Sequence, residues 1–217
     1  MDRDEIFSKW TAQLEIIERL GGETDQLIVE PPATEAEIAQ IERELGVTLP
    51  PVMRNTLLTF SRGISLEWSL PKGFQLPEAV KRATWGYVKY SLDDIVQSEL
   101  ERRIWAKDCV ASWEIPEVAA LWENKIAFYT MGNGDFLTVD VSTPGHEPVV
   151  YLSHEGEEED DGYVLGADFN DFLPRWTGVG CPGPESWIMA PFTHNFTKPL
   201  DPDCENAVLW RKAVGLS

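Results

Sequence analysis

The amino-acid sequence predicts an α+β fold, with one twisted, mainly antiparallel sheet and helices packed around it. Candidate strands at residues 125–130, 136–141 and 148–153 follow one another too closely for the crossover helices of a parallel sheet. Helical patterns are grouped before and after these strands instead of alternating with them, which is typical of α+β domains. The chain has 217 residues, 43% of them apolar, so it can bury a hydrophobic core.

The N-terminal part of the chain predicts helices. Residues 4–20 have one apolar face at helical spacing, and a glycine pair ends the pattern. That face consists of Ile6, Trp10, Leu14 and Ile17. A short strand is predicted at 27–29. Thr34 and Glu37 have the spacing of a capping box, so a second helix is expected to begin there and to end at Gly46.

The next segment changes from helical to strand character. Pro51 suits the first turn of a third helix, because proline lacks an N–H that would be unpaired there. Aromatic and β-branched residues then predict strands at 64–70 and 85–90. A capping pattern at Ser91 begins a helix over 92–107. Its inward face is predicted to consist of Leu92, Ile95, Leu100 and Ile104.

The connection between strands 125–130 and 136–141 contains Gly132, Gly134 and Asp135, residue types that are typical of a β-hairpin loop. No helix follows this connection, so it is interpreted as a structural turn and not as a phosphate cradle.

Two parts of the chain are distinguished by composition. Residues 1–177 are predicted to form a single α+β domain that includes the N-terminal helix. Residues 178–217 are rich in proline and contain spaced aromatic side chains, so they are interpreted as an extension that packs on the domain. This extension is expected to end in a C-terminal helix that begins at Asp203.

The charge of the chain is strongly negative. Eighteen Lys and Arg stand against 37 Asp and Glu, which gives a formal net charge of −19. Such a field repels phosphate backbones and anionic membrane surfaces, so direct nucleic-acid or membrane binding is not expected. It favours rapid encounter with a basic protein. The alternative is that the acidity serves only to keep the protein dissolved.

Targeting and cysteine patterns indicate a cytoplasmic protein. The first residues are acidic where a secretory signal would be basic, and the chain has no apolar run long enough to span a membrane. The three cysteines, Cys109, Cys181 and Cys204, form no CxxC pair, which fits a reducing compartment. A disulfide between Cys181 and Cys204 is left open.

No pattern of residues predicts catalysis, a cofactor or a metal. His146, His154 and His194 lie in no metal-binding or catalytic motif, and no serine occupies a nucleophile elbow. The acidic segment beside His154 lacks the regular ligand spacing of a calcium loop, so it is interpreted as a solvated loop. The nine tryptophans are expected to be mostly core, with one or two at an interface.

The sequence resembles the SUKH superfamily over about residues 30–176, because four pieces occur in the family's order. The first is the helix at 33–46, and the second is Leu49-Pro50 with the helix that follows. The third, at 132–140, is similar to the family's GNGDxxxLD hairpin. The fourth is the strand at 149–156 followed by the helix at 169–173. The resemblance implies the α+β fold described above and no catalytic role.

Within this family, bacterial members are similar to immunity proteins that neutralise polymorphic toxins, often nucleases, and fungal members regulate cell-wall synthesis. The resemblance implies an immunity protein that blocks a toxin by occlusion, and the acidity of the chain suggests that this partner is basic. The alternatives are a regulatory scaffold without a toxin and, in the enzyme class, a carbohydrate-active hydrolase. The protein is expected to be a monomer or a weak dimer.

The predicted contact surface is the acidic segment together with the edge strand that follows it. Carboxylates supply the charge complementarity that a basic partner requires. The candidate residues are Glu155, Glu157, Glu158, Glu159, Asp160, Asp161 and Tyr163.

Overall fold

A computed structural model describes residues 2–108, 110, 116–155 and 161–216. Within these residues the helices are α1 (Arg3–Arg19), α2 (Glu35–Leu45), α3 (Pro51–Thr59), α4 (Leu92–Asp108), α5 (Pro116–Leu121), α6 (Phe169–Gly178), α7 (Ser186–Met189) and α8 (Glu205–Val214). The strands are β1 (Glu23–Thr24), β2 (Ile28–Val29), β3 (Gly63–Ser69), β4 (Trp85–Ser91), β5 (Lys125–Thr130), β6 (Phe136–Asp140), β7 (Val149–Leu152) and β8 (Val164–Gly166). None of the described helices combines the length and the apolar character that crossing a bilayer requires.

The helix ends follow the local signals of the sequence. Thr34 and Glu37 make both hydrogen bonds of the predicted capping box at the start of α2. Gly46 ends that helix in the left-handed conformation, with φ 68°. The C-terminal helix α8 begins one residue later than predicted. Cys204, and not Asp203, is its N-cap, because the Cys204 Sγ accepts the Ala207 N–H at 3.4 Å.

The α+β class is confirmed, but the described strands form two four-stranded sheets where one was predicted. In the first sheet, β3 is central: β4 pairs along one edge, and β1 and β2 share the other. The second sheet has the order β5-β6-β7-β8, and its neighbours are all antiparallel. The consecutive hairpins of the second sheet are those that the sequence predicted.

The C-terminal extension is hydrogen-bonded to the outer edge of β4. Gly183 accepts the Tyr87 N–H at 3.1 Å and donates its own N–H to the Trp85 carbonyl at 3.3 Å. The close approach needs Gly86, since a Cβ there would overlap the Cys181 carbonyl oxygen. The extension therefore borders β4 at this point, along the edge that does not pair with β3.

Both ends of the chain enter the same core as the central sheets. The Trp10 indole of α1 donates to the Thr177 hydroxyl at 3.0 Å, and the Gln13 amide donates to the Gly180 carbonyl at 2.8 Å. Trp210 of α8 donates to the Ala83 carbonyl at 2.8 Å and packs on Trp68, with 5.4 Å between ring centroids. Among the described residues, five tryptophans are fully buried: Trp10, Trp68, Trp122, Trp176 and Trp210.

The inward face of α4 differs from the prediction. Ile95 is buried, but Leu100 is 42% exposed and Ile104 is 59% exposed. The helix instead buries Ser98, Glu99 and Arg102. The reason lies in the unpaired edge of β5, where the Ala127 N–H needs an acceptor, and Glu99 supplies one at 2.8 Å. A buried carboxylate then requires a cation beside it, so the charged side of α4 faces the sheet.

Candidate functional site

The turn between β5 and β6 centres on Asp135, which is only 3% exposed. Its carboxylate accepts hydrogen bonds from the Tyr151 hydroxyl and from the Asn133 amide. It also accepts the His154 N–H at 2.9 Å and lies 2.7 Å from the His154 Nδ1. Gly134 adopts a φ of 98° to form the turn. Asp135 therefore holds the turn against β7, and both of its oxygens are occupied by donors.

The same network reaches the C-terminal extension. The Tyr151 hydroxyl accepts the Ser186 N–H at 3.2 Å, so one phenol joins β7, the turn and α7. Burial, followed by the negative charge of Asp135, raises the pKa of Tyr151. The hydroxyl therefore remains protonated and keeps donating to Asp135.

Glu185 lies beside this network and is 6% exposed. Its Oε2 is buried and has no hydrogen-bond partner among the described residues. Burial raises the pKa of Glu185, and the nearby charge of Asp135 raises it further. Asp135 and Glu185 are thus a pair of interacting acids, and both side chains are buried.

The residues of the predicted acidic surface differ from one another in their exposure and in whether the structure describes them. Glu157, Glu158, Glu159 and Asp160 lie outside the described residues. Glu155 is exposed, whereas Asp161 is half-buried and accepts the Ser153 N–H at 3.0 Å.

Tyr163 is buried, with 7% of its surface exposed. Its ring stacks on Tyr151 at 5.3 Å and lies 4.6 Å from the Phe196 ring, measured between centroids. The prediction that Tyr163 contributes a side-chain contact to a partner is therefore corrected: the side chain belongs to the core. Its neighbour in β8, Val164, is the one that faces outward, at 36% exposure.

The other two histidines are His146 and His194, and the described cysteines are Cys181 and Cys204. His194 pairs with Asp201 at 2.9 Å on the surface of the extension, and His146 is exposed in the loop before β7. Cys181 and Cys204 are both free thiols, so the disulfide left open by the sequence is not formed. Among the residues described, no three His, Cys, Asp or Glu side chains come together as ligands for a metal.

Sequence reasoning missed one surface feature, a row of three aromatic side chains across the junction of the two sheets. Trp85 and Tyr87 are on the outward-facing side of β4, and Tyr129 is on β5. The Trp85 and Tyr87 ring centroids are 5.8 Å apart, and those of Tyr87 and Tyr129 are 5.4 Å apart. All three side chains are partly exposed. These three residues are called the aromatic row below.

An acidic cleft lies at each end of the aromatic row. The first cleft has a volume of about 260 Å³, and Trp85 forms part of its wall together with three exposed acids, Glu23, Asp25 and Glu67. The second has a volume of about 290 Å³ and is lined at the Tyr129 end by residues that include Lys89, Asp94 and Glu101.

Acidic side chains lie close enough to the aromatic row to act on Tyr129. Burial raises the pKa of Tyr129, and the charges of Glu185, Asp94 and Glu67 raise it further, although a hydrogen bond with Tyr87 acts in the opposite direction. In the first cleft, none of Glu23, Asp25 and Glu67 forms an ion pair with a described residue. In the second, Lys89 lies 3.9 Å from Asp94.

The sequence of β4 shows which residues point to the same side of the strand, but it does not show which side is exposed. Trp85, Tyr87 and Lys89 alternate with Gly86, Val88 and Tyr90, so both faces carry aromatic side chains. Only the tertiary structure shows that the second set is the buried one.

Fold and surface together define an α+β domain with two antiparallel sheets, a partly exposed aromatic row and buried acids at the turn. The chain belongs to the SMI1 / KNR4 family (SUKH-1), whose model matches residues 32–175. It is a SUKH-domain protein, and this family is generally non-catalytic. Among curated proteins, none matches the sequence. Helix α1 and the extension that borders the aromatic row lie outside the matched residues.

Proposed function

We propose that this chain is a non-enzymatic protein-binding domain that works inside the cell as an immunity protein, neutralising a toxin by occlusion. One observation carries the proposal: the acids Asp135 and Glu185 are buried, whereas three exposed carboxylates form no ion pair with a described residue. The Asp135 carboxylate accepts hydrogen bonds from the Tyr151 hydroxyl and the His154 N–H at the turn. Glu23, Asp25 and Glu67 are on the surface.

The charge of the chain specifies the kind of toxin. An enzyme that cleaves nucleic acid presents a basic surface to the phosphate backbone. A protein with a net charge of −19 is attracted to such a surface and, once bound, covers it. A toxic nuclease is therefore the partner that the charge fits best. Regulation of cell-wall synthesis, as in the family's fungal branch, would also require protein binding but no basic nuclease.

Affinity capture from the source cell, followed by mass spectrometry, tests the proposal. The expected result is one abundant basic partner that is eluted by salt, because salt screens charge pairs over about 10 Å at 0.1 M. Expression of that partner alone should arrest growth, and co-expression of this chain should restore it.

Two results would contradict the proposal. A captured partner that is harmless when expressed alone would favour the regulatory scaffold. Hydrolysis of oligosaccharides by the purified chain, with rates that fall in an Asp135→Asn variant, would favour the hydrolase.

A further inference from the structure

We infer that the aromatic row and its two acidic clefts are the docking surface for a basic protein segment whose arginine or lysine side chains lie over Trp85, Tyr87 and Tyr129. The inference rests on the proposed function, to which it adds a location and a chemistry of contact. It moves the centre of binding away from residues 155–161, to the junction of the two sheets.

The aromatic row lies on the partly exposed side of β4, whereas the opposite side of this strand is packed in the core. Its three side chains are partly exposed, while the alternate residues of β4, Val88 and Tyr90, are each 1% exposed. The extension holds the junction in place through Gly183, which is hydrogen-bonded to both flanking positions of Gly86 in β4. Binding to a surface held in this way requires little ordering of the protein.

The charges around the aromatic row select a cation. Glu23, Asp25 and Glu67 at one end have no ion pair with a described residue, so they can pair with an incoming positive charge. At the other end, the cleft beside Tyr129 contains Glu101, and the positive charge of Lys89 there is offset by Asp94 at 3.9 Å. A cation that passes between these clefts meets the partly exposed rings of the aromatic row, whose π-electrons attract positive charge. Arginine suits this surface best, because its planar guanidinium stacks on rings and pairs with carboxylates at the same time.

Two other occupants fit the geometry less well. A sugar chain binds best to coplanar rings, but Tyr87 is inclined by 31° to Trp85 and by 60° to Tyr129. A second copy of this chain would bring like charges together, since each copy carries a net charge of −19.

Fluorescence anisotropy with a labelled peptide of alternating arginine and glycine tests the inference. The site variant replaces the exposed acids of the first cleft, as Glu23→Gln, Asp25→Asn and Glu67→Gln together. The control variant carries Glu44→Gln, Glu117→Gln and Glu123→Gln, three exposed acids on other elements, so its net charge changes equally. The site variant should bind the peptide about tenfold more weakly than the control.

A second variant tests the contribution of the rings to binding separately from that of the charges. Trp85→Ala leaves the net charge unchanged, and it should weaken peptide binding by about two- to thirtyfold through loss of the cation–π contact. Circular dichroism checks its folding, and Trp85→Leu replaces it if the alanine variant unfolds. The inference is overturned if wild type does not bind the peptide, if the two acid variants bind alike, or if the Trp85 variants bind as wild type does. Trp85-dependent binding of a glucan hexasaccharide in place of the peptide would also overturn it.

The growth assay distinguishes a wrong docking surface from a wrong immunity function. If wild type protects cells and a folded Trp85 variant protects equally well, the docking surface is wrong while the immunity function stands. If the peptide binds through the aromatic row but no toxic partner is captured, the immunity function is wrong while the surface stands.

Discussion

Gly86 of β4 lies directly against the Cys181 carbonyl, and this contact joins the C-terminal extension to the first sheet. The parallel bridge between Gly86 and Gly183 forms where the backbone of the extension reaches β4. The extension is outside the residues that the family model matches, yet it completes the edge of a strand within them. The stability of the domain therefore depends on segments beyond the shared family core.

Replacement Gly86→Ala tests this contact. The added Cβ would overlap the Cys181 oxygen, so either the strand or the extension must shift, and we expect a loss of about 1–3 kcal/mol in the free energy of unfolding. Urea unfolding measures the loss. Gly132→Ala is the matched control, because a Cβ there meets no atom within 4 Å, and its effect should stay within about 0.5 kcal/mol. Equal effects of the two replacements would contradict the packing described.

The buried ion pair of α4 gives a second prediction. Glu99 is 1% exposed and pairs with Arg102 at 2.7 Å while accepting the Ala127 N–H. Glu99→Ala leaves the buried guanidinium unpaired and should lower the free energy of unfolding by about 3–5 kcal/mol. Glu101→Ala, two residues along the same helix, removes only a partly exposed acid and should cost no more than about 0.5 kcal/mol. A small loss for Glu99→Ala would show that the pair adds little.

Glu185 predicts how stability depends on pH. Its pKa in the folded protein is raised above the usual 4.5, so the folded state holds this proton more tightly than the unfolded state does. Stability is then lost as pH rises through the interval from about 4.5 to the raised pKa. Glu185→Gln has no charge to bury and should gain stability relative to wild type as pH rises from about 4 to about 7. Unfolding curves over this range, with a stability difference that did not change, would refute this.

The Tyr151 hydroxyl provides a fourth prediction. Tyr151→Phe removes a donor to Asp135 and leaves the Ser186 N–H without its acceptor, which should cost about 1–3 kcal/mol of unfolding free energy. A double-mutant cycle with Asp135→Asn separates the bond from other effects, and we expect a coupling of about 0.5–3 kcal/mol. Strictly additive losses would mean that the two side chains stabilise the fold independently.

Local signals in the sequence predicted the helix and strand positions well, because caps and turns depend on neighbouring residues. The capping box at Thr34 and Glu37 is present, and β5 occupies residues 125–130 as expected. The strand β1 was not predicted, since its two residues, Glu23 and Thr24, form a strand only through pairing with β3.

Longer-range features could not be predicted in this way. The periodicity of α4 indicated Leu100 and Ile104 as inward residues, but the unpaired Ala127 N–H on a distant strand favours Glu99 there. Tyr163 was expected on a contact surface, whereas the rings of Tyr151 and Phe196 enclose it. The aromatic row was missed for the same reason, because its members come from two sheets whose junction is set by the extension.

The contacts between the two ends of the chain can form only late in synthesis. Trp10 and Gln13 are made early, but their hydrogen-bond partners, Thr177 and Gly180, are 167 positions further along. At a typical translation rate of 5–20 residues per second, α1 waits roughly 8–30 s for them. Once β4 has been made, the edge that later bonds to Gly183 lacks this partner until the extension follows. An edge strand without its partner can pair with other chains. We therefore expect the growing chain to aggregate most readily just before the extension is made.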